Sequence, residues 1–260
     1  MVLVMQGDGF PSLQLFPIFF CREDFLQGVR ASFDWTEGSP TKKGHKDTIS
    51  DVAGSFELEG VTDWNLHFSL EKEGYYVSQR DTQFYFQFTL ESGQPDPNNP
   101  AIFHLHKKGP GTELVTSQYG VKRTLGVQAA IDGTPVHVDP LTRRVGQSGP
   151  LEISQVKPNP AQWKNASEWT FRLAIPDGGF VEHNDEFPFE APVSGYQPLI
   201  EFHFKKGVSN WTDMLRKQYY IAFGQPRKYG RIVIETSIEL GGARLEYAIN
   251  PDGSRYLEPK

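Results

Sequence analysis

Short segments in which apolar and polar residues alternate recur along the whole chain, and they restrict the fold to one built from β-strands. In residues 82–90, three phenylalanines occupy every second position. This spacing places alternate side chains on one face of a sheet. The 19 Phe, 10 Tyr and 5 Trp against 3 Met favour sheet packing over helix packing. The 25 Gly and 19 Pro fit many short strands joined by turns. The sequence therefore predicts an all-β protein.

At 260 residues, 38% of them hydrophobic, the chain can bury a substantial core, and one or two domains are expected. Residues 107–111, Lys-Lys-Gly-Pro-Gly, are interpreted as a linker. Eight alternating segments follow, separated by Gly, Pro, Asn and Asp turn signals, at residues 121–130, 135–138, 151–156, 169–175, 199–204, 219–223, 231–238 and 243–249. They predict a β-sandwich of jelly-roll or immunoglobulin-like type over residues 108–260. Residues 209–217 are predicted to form a short helix.

Residues 47–76 have the clearest local pattern in the first half. Asp51 at the first position of a turn accepts backbone N–H bonds, and Gly54 at the fourth tolerates positive φ. Residues 60–63 form a second turn signal, and the segments between the turns alternate. We therefore predict a small antiparallel meander of strands. Residues 37–46, which precede it, are predicted to be a polar loop.

The same stretch resembles the carboxypeptidase regulatory-like domain. The resemblance rests on Ser50, Asp51, Gly54, Phe56, Val61, Leu66, Phe68, Leu70, Lys72, Gly74 and Tyr75. It implies a transthyretin-like β-sandwich, a seven-stranded Greek key, over residues 28–107. That domain is an accessory module of secreted and cell-surface proteins, and it has no catalytic residues of its own. Residues 1–27 match poorly, so we expect either an edge strand or a wrongly assigned start there.

Charge and apolar content restrict the partners and the location. The net charge of −6 argues against a nucleic-acid partner. No apolar run reaches the roughly 18 residues of a membrane-spanning helix. No clear signal peptide is visible, because no Lys or Arg precedes the apolar segment at residues 16–20 and Pro17 interrupts it. The single cysteine, Cys21, excludes an internal disulfide. The family resemblance implies an extracytoplasmic or cell-surface location.

Three groups of residues could hold a metal. His183 and Glu186 match the His-x-x-Glu half-site of zinc peptidases, although a third ligand is not identifiable, and a solvated acidic loop is the favoured interpretation. His104 and His106 would lie on one face of a strand, at the surface or against the second domain. Calcium could bind the carboxylates of Asp177, Glu182, Asp185, Glu186 and Glu190, yet their spacing matches no EF-hand. No cofactor is expected, with calcium as the alternative.

Aromatic residues offer a different kind of site. Exposed Trp and Tyr side chains on a β-sandwich can stack on sugar rings. Trp64 and Trp211 each lie at a turn or strand margin among polar neighbours, and Tyr196 lies in a Gly/Pro-rich loop. We therefore name Trp64, Trp211 and Tyr196 as candidate carbohydrate-binding residues. For each of them taken singly, packing into a core is the favoured interpretation.

The sequence contains no Gly-x-Ser-x-Gly nucleophile motif, no phosphate-binding loop and no dinucleotide fingerprint. The favoured hypothesis is a non-catalytic accessory protein with a structural, adhesive or ligand-binding role at the cell envelope. Its partners would be a polysaccharide or another envelope protein. The alternatives are a dedicated carbohydrate-binding protein and a metal-dependent hydrolase with its site in the second half.

Overall fold

A computed structural model describes residues 12–15, 26–37, 42–56, 58–61, 65–78, 86–87, 103–118, 123–157 and 168–260. Every helix or strand assigned in these ranges is a β-strand, so the predicted all-β fold class is confirmed. The chain divides into two compact units: unit 1 is Met1–Gly109 and unit 2 is Pro110–Lys260. The finer types named above, transthyretin-like for one and jelly-roll or immunoglobulin-like for the other, stay predictions.

Unit 1 contains three small antiparallel sheets in its described part. The strands are β1 (Ser12–Leu15), β2 (Arg30–Glu37), β3 (Lys42–Ile49), β4 (Leu58–Val61), β5 (Asn65–Glu71), β6 (Tyr75–Val77), β7 (Phe86–Gln87) and β8 (Leu105–Lys107). The sheets have the orders β3-β2-β5-β7, β1-β4 and β6-β8. Of the strand predicted over residues 82–90, β7 is the described part. The poorly matching segment at residues 1–27 contributes β1, which pairs with β4.

The predicted meander is wrong, because among the described residues of the stretch 47–76 strands that follow each other are not paired. β3 and β5 both pair with β2, and β4 pairs with β1. The turn itself is confirmed: the Gly54 N–H donates to the Asp51 C=O at 3.0 Å, Gly54 has φ 68°, and Asp51 Oδ1 accepts from the Ser55 N–H at 2.9 Å. This turn therefore joins two sheets and does not close a hairpin. In the second predicted turn, Gly60 and Val61 belong to β4, and residues 62–63 lie outside the described residues.

The predicted polar loop at residues 37–46 is also wrong in its second half, where β3 begins at Lys42. Charged side chains on β3 pair with charges on β2, directly opposite for His45 and Asp34 and diagonally for Asp47 and Arg30. Asp47 lies 2.5 Å from Arg30, and His45 Nδ1 lies 2.8 Å from Asp34 Oδ1. Cross-strand charge pairs stabilise a sheet without apolar alternation. A polar segment can therefore form the strand at one end of this sheet.

Unit 2 contains two larger antiparallel sheets. The strands are β9 (Val115–Thr116), β10 (Leu125–Gln128), β11 (Val136–Asp139), β12 (Arg144–Gly146), β13 (Leu151–Val156), β14 (Glu168–Ala174), β15 (Gly179–Glu182), β16 (Leu199–Lys205), β17 (Met214–Phe223), β18 (Lys228–Ser237) and β19 (Gly242–Asn250). One sheet has the order β12-β11-β13-β14-β16. The other has the order β10-β19-β18-β17-β15, and β9 also pairs with β19.

The inner faces of these two sheets share one hydrophobic core. On β13 and β18, every second residue is buried over most of the strand. Trp169 and Phe171 from the first sheet and Ile221, Ile234 and Leu245 from the second belong to the same cluster of buried side chains. Alternating burial of this kind is what two packed sheets require. Unit 2 therefore has a core of its own.

The predicted helix at residues 209–217 is wrong. Residues 209–210 form a turn, and from Met214 onward the chain is β17. Leu215 is buried in the core and lies opposite Thr236 of β18. Trp211 and Leu215 have helical spacing, but a nine-residue helix is marginal alone, whereas β17 gains a ten-residue ladder with β18. Tertiary pairing therefore decides this segment.

Candidate functional site

An open cleft of about 500 Å³ lies in unit 1, where the turn after β5 meets the sheet of β6 and β8. We call it the β5–β8 cleft. It is lined by Leu70, Glu71, Lys72, Glu73, Gly74, Tyr75, Val77 and Lys108. The lining is mixed: it includes one aromatic ring, two ammonium groups and two carboxylates.

Three features of the backbone build this cleft. The Tyr75 N–H donates to the Lys72 C=O at 3.1 Å and closes a tight turn. Gly74 takes φ 76° within that turn, a left-handed conformation that favours glycine. The Lys108 N–H donates to the Gly74 C=O at 2.8 Å, which attaches the end of β8 to the turn. Residues more than 30 positions apart in the chain thus meet at one place.

Both lysines of the cleft lie over tyrosine rings. Lys72 Nζ is 5.7 Å from the centroid of the Tyr75 ring and donates to the Gln27 C=O at 2.5 Å. Lys108 Nζ is 5.1 Å from the centroid of the Tyr76 ring. An ammonium at this distance from an aromatic face is attracted by the ring quadrupole. The lysine side chains are therefore held near the cleft.

The charges of the cleft are not paired with each other. In the part of the chain that the structure describes, neither Lys72 nor Lys108 has a carboxylate within ion-pair distance. Glu71 lies directly opposite Arg30 in the β2–β5 pairing. The pKa of Arg30 is raised above its ordinary value, first by the hydrogen bond and charge of Asp47 and to a smaller extent by Glu71. The Glu71 carboxylate is thus close to a guanidinium as well as to the cleft.

His104 and His106, predicted as a surface or metal-binding pair, lie next to this cleft in the chain. His106 is exposed on β8 opposite Tyr76, and His104 precedes the strand, where its C=O accepts from the Ser78 N–H at 3.2 Å. The described ranges contain no group of three His, Cys, Asp or Glu side chains that could hold a metal ion. Lys108, two residues after His106, lines the cleft and lies over Tyr76.

Of the candidate sugar-binding aromatics, Trp211 and Tyr196 pack against different hydrophobic clusters. Trp64 lies outside the described residues. Trp211 is partly buried and packs against the core of unit 2. Tyr196 is half-buried beside Tyr229 and Leu257, and its hydroxyl donates to the Pro192 C=O at 2.9 Å. Burial raises the pKa of Tyr196 to about 12. Both residues with described side chains therefore have packing contacts.

His183 is buried, which a ligand in a solvated loop would not be. Its ring stacks on Tyr220 with 4.2 Å between centroids, and its Nδ1 accepts from the Asp185 N–H at 3.3 Å. The Tyr220 hydroxyl donates to Asp185 Oδ2 at 2.6 Å. Burial first, and this hydrogen bond second, raise the pKa of Tyr220 above its ordinary value. Glu186 is half-buried and directly follows Asp185 in the chain.

The acidic loop around His183 is attached to the rest of unit 2, while the carboxylates of Asp177, Glu182, Asp185 and Glu190 remain exposed to solvent. The Ala191 N–H donates to the Arg255 C=O at 2.9 Å, and the Leu257 N–H donates to the Phe189 C=O at 2.7 Å. Three of its carboxylates have partners: Glu182 with Lys217, Asp185 with Tyr220, and Glu190 with Arg255. These side chains therefore fasten the loop and the C-terminal segment over the outer face of the sheet.

Comparisons of the chain with protein-family models, with curated proteins and with solved structures found no match. Among the described residues, no helix is long and apolar enough to cross a membrane. The site is therefore interpreted from its geometry.

The sequence patterns do not indicate that the residues lining the cleft form a site. Lys72 and Tyr75 belong to the residues that carry the family resemblance, and Lys107 and Lys108 belong to the predicted linker. The sequence signal that points to them is the residue composition of the two segments that pair as β6 and β8. Residues 72–76, Lys-Glu-Gly-Tyr-Tyr, combine a basic residue with two aromatic ones. Residues 106–108, His-Lys-Lys, are all basic. Nothing local shows that β6 pairs with β8.

Proposed function

We propose that this chain is a non-catalytic β-sandwich accessory protein whose unit 1 binds a polysaccharide at the cell envelope. The observation that carries the proposal is the β5–β8 cleft, in which an aromatic ring, ammonium groups and carboxylates surround an open volume of about 500 Å³. The proposal combines the favoured accessory role with the carbohydrate-binding alternative.

The composition of the cleft suits a sugar chain. Sugar rings have apolar faces that can lie on an aromatic ring such as Tyr75, and hydroxyl groups at their edges. A lysine ammonium offers three hydrogen-bond donors, and a carboxylate accepts hydrogen bonds. Lys72, Lys108 and Glu73 therefore offer donors and an acceptor around the ring. An open cleft also admits a chain that continues beyond it on both sides.

The location at the envelope rests on the resemblance to carboxypeptidase regulatory-like domains. Five residues of that match have turn or core positions. Asp51 and Gly54 form the turn, and Phe56 and Leu70 are buried. Ser50 is buried as well and its hydroxyl donates to the Leu26 C=O at 2.6 Å. These roles are consistent with an accessory module. No specific observation among the described residues favours the hydrolase alternative.

The test is retention of the purified chain on gels that contain neutral and acidic polysaccharides, compared with a gel without polysaccharide. We expect retention by at least one polysaccharide, and Tyr75→Ala to weaken it about fivefold through loss of the ring. Tyr75→Phe keeps the ring and should bind nearly as well. Circular dichroism of each variant checks that unit 1 remains folded. Absence of retention on every polysaccharide would contradict the proposal.

A further inference from the structure

We infer that the β5–β8 cleft selects acidic polysaccharides, those whose sugar units carry carboxylate or sulfate groups, over neutral ones of the same backbone. This inference rests on the proposed function and names the ligand class of the same site. It follows from the charges around the cleft and from the kind of groups that could neutralise them.

The first step is the local concentration of positive charge. Lys72, Lys107 and Lys108 gather around β6, β8 and their turn, in a chain whose net charge is −6. Lys107 lies opposite Tyr75, and Lys108 is the residue after Lys107. Successive side chains of a strand point to opposite faces, so one ammonium group lies on each face of this two-stranded sheet. Lys107 and Lys108 therefore add positive charge at the end of β8, although the cleft lining itself holds two lysines and two glutamates.

The two ammonium groups of the cleft are held in position, but no carboxylate among the described residues neutralises their charge. Lys72 donates to a backbone carbonyl and lies over Tyr75, and Lys108 lies over Tyr76. A carbonyl and a ring face orient an ammonium but leave its full charge, and each ammonium has three donors. Among the described residues, neither lysine has a carboxylate partner. An anionic group of a ligand can therefore take that place. Charge-assisted hydrogen bonds of this kind are the strong ones.

The third step separates an acidic sugar from other polyanions. Glu71 and Glu73 also line the cleft. Glu71 lies opposite Arg30, whereas Glu73 is exposed at the tip of the turn. A carboxylate accepts hydrogen bonds from the hydroxyl groups of a sugar, which a polyanion without hydroxyl groups cannot donate. The combination therefore fits a ligand that carries anionic groups and hydroxyl groups on the same ring.

The experiment compares two matched pairs of polysaccharides: polygalacturonate with its fully methyl-esterified form, and dextran sulfate with dextran. Within each pair the backbone is the same and the charge is removed. We expect the chain to bind an acidic member at least about tenfold more tightly than its neutral partner. Because exposed charges are screened by salt, raising NaCl from about 0.05 M to about 0.5 M should weaken that binding.

Variants locate the effect in the cleft. Lys108→Ala combined with Lys72→Ala should reduce binding of the acidic polysaccharide about tenfold. The control, Lys205→Ala with Lys206→Ala, removes the same charge from exposed positions in unit 2 and should bind as the unaltered chain does. Lys72 also holds the Gln27 carbonyl, so Lys108→Ala alone, expected to bind about threefold more weakly, tests the site if the double variant unfolds.

The outcomes are distinct. Equal binding to both members of each pair overturns the inference and leaves the proposed function standing. Binding to none of the four, nor to any other polysaccharide, overturns the proposed function. Equal competition by single-stranded DNA at the same charge concentration overturns the inference, because it would show attraction to any polyanion. Unchanged binding by the lysine variants overturns it as well.

Discussion

Three tyrosines on the long strands of unit 2 differ in what their hydroxyl groups contact. Tyr219 and Tyr247 lie on either side of Ile232 in the strand register, and all three belong to the core. Their hydroxyl groups are buried and have no hydrogen-bond partner among the described residues. Tyr220 projects to the other face, where its hydroxyl donates to Asp185. A buried hydroxyl without a partner loses its hydration, whereas a bonded one stabilises the fold.

Replacing these tyrosines with phenylalanine should therefore have opposite effects. Tyr219→Phe and Tyr247→Phe should leave the free energy of unfolding unchanged or raise it by about 1 kcal/mol. Tyr220→Phe should lower it by about 1.5 kcal/mol, because Asp185 loses a donor. Urea unfolding of the three variants measures this. A loss for Tyr219→Phe as large as that for Tyr220→Phe would show that the Tyr219 hydroxyl has a partner.

Lys157 gives unit 2 a predictable dependence on pH. Its ammonium is buried and donates to the backbone carbonyls of Ile238 and Leu240, and burial lowers the pKa of Lys157 below its ordinary value of 10.5. Between the lowered pKa and about 10.5 the unfolded chain binds more protons, so this residue makes stability rise with pH there. In Lys157→Met the rise should be absent.

The measurement is the urea midpoint at a series of alkaline pH values for the unaltered chain, Lys157→Met and the exposed control Lys205→Met. Ionisation of the tyrosines affects all three in the same way, so the difference between curves isolates Lys157. Parallel curves for the unaltered chain and Lys157→Met would contradict the assignment. The control should follow the unaltered chain.

At the scale of strands, apolar alternation identified the elements, and pairing decided what the sequence left open. The segment predicted at residues 151–156 is β13 with the same bounds, because every second residue there is buried. β3 was missed because its pattern is polar and its stability depends on partners in β2. Residues 209–217 have spacing that fits a helix and a strand equally, and β18 decides between them. The β5–β8 cleft was missed for the same reason, since it depends on β6 pairing with β8.

Two glycines of unit 2 differ sharply in the space that surrounds them. A Cβ on Gly178, in the turn before β15, would lie 1.7 Å from the Ala222 carbonyl oxygen of β17. A Cβ on Gly126, in β10, would meet no atom within 4 Å. Gly178→Ala should therefore lower the free energy of unfolding by about 3 kcal/mol, since backbone must move. Gly126→Ala should change it by less than about 0.5 kcal/mol.

Thermal unfolding followed by circular dichroism distinguishes these variants. Because the two substitutions add the same methyl group within unit 2, a difference between them reports the close approach of the Gly178 turn to β17. Similar melting temperatures would mean that the turn can shift away from β17 at little cost.

At the scale of the whole molecule, each unit is organised separately. The core of unit 2 is complete within Pro110–Lys260, and its chain begins and ends at the same place. The Thr112 N–H donates to the Glu258 C=O at 2.8 Å, and the Lys260 N–H donates to the Thr112 C=O at 3.1 Å. These bonds join the first and last segments of the unit.

A fragment with residues 110–260 should therefore fold alone and unfold cooperatively in urea. A fragment with residues 114–260 lacks both bonds of Thr112 and should be less stable by about 2 kcal/mol. The urea midpoints of the two fragments measure the difference. A broad, non-cooperative transition for residues 110–260 would contradict the division into units.

The Thr112–Pro259 bridge also sets how unit 2 responds to tension. The two segments run parallel, and each holds the other through backbone hydrogen bonds. A force applied to the first and last residues of the unit pulls parallel segments in opposite directions. It therefore loads both hydrogen bonds at once, in shear, instead of opening them one after the other. Tension along the chain would therefore load these two hydrogen bonds before it reached the long strands.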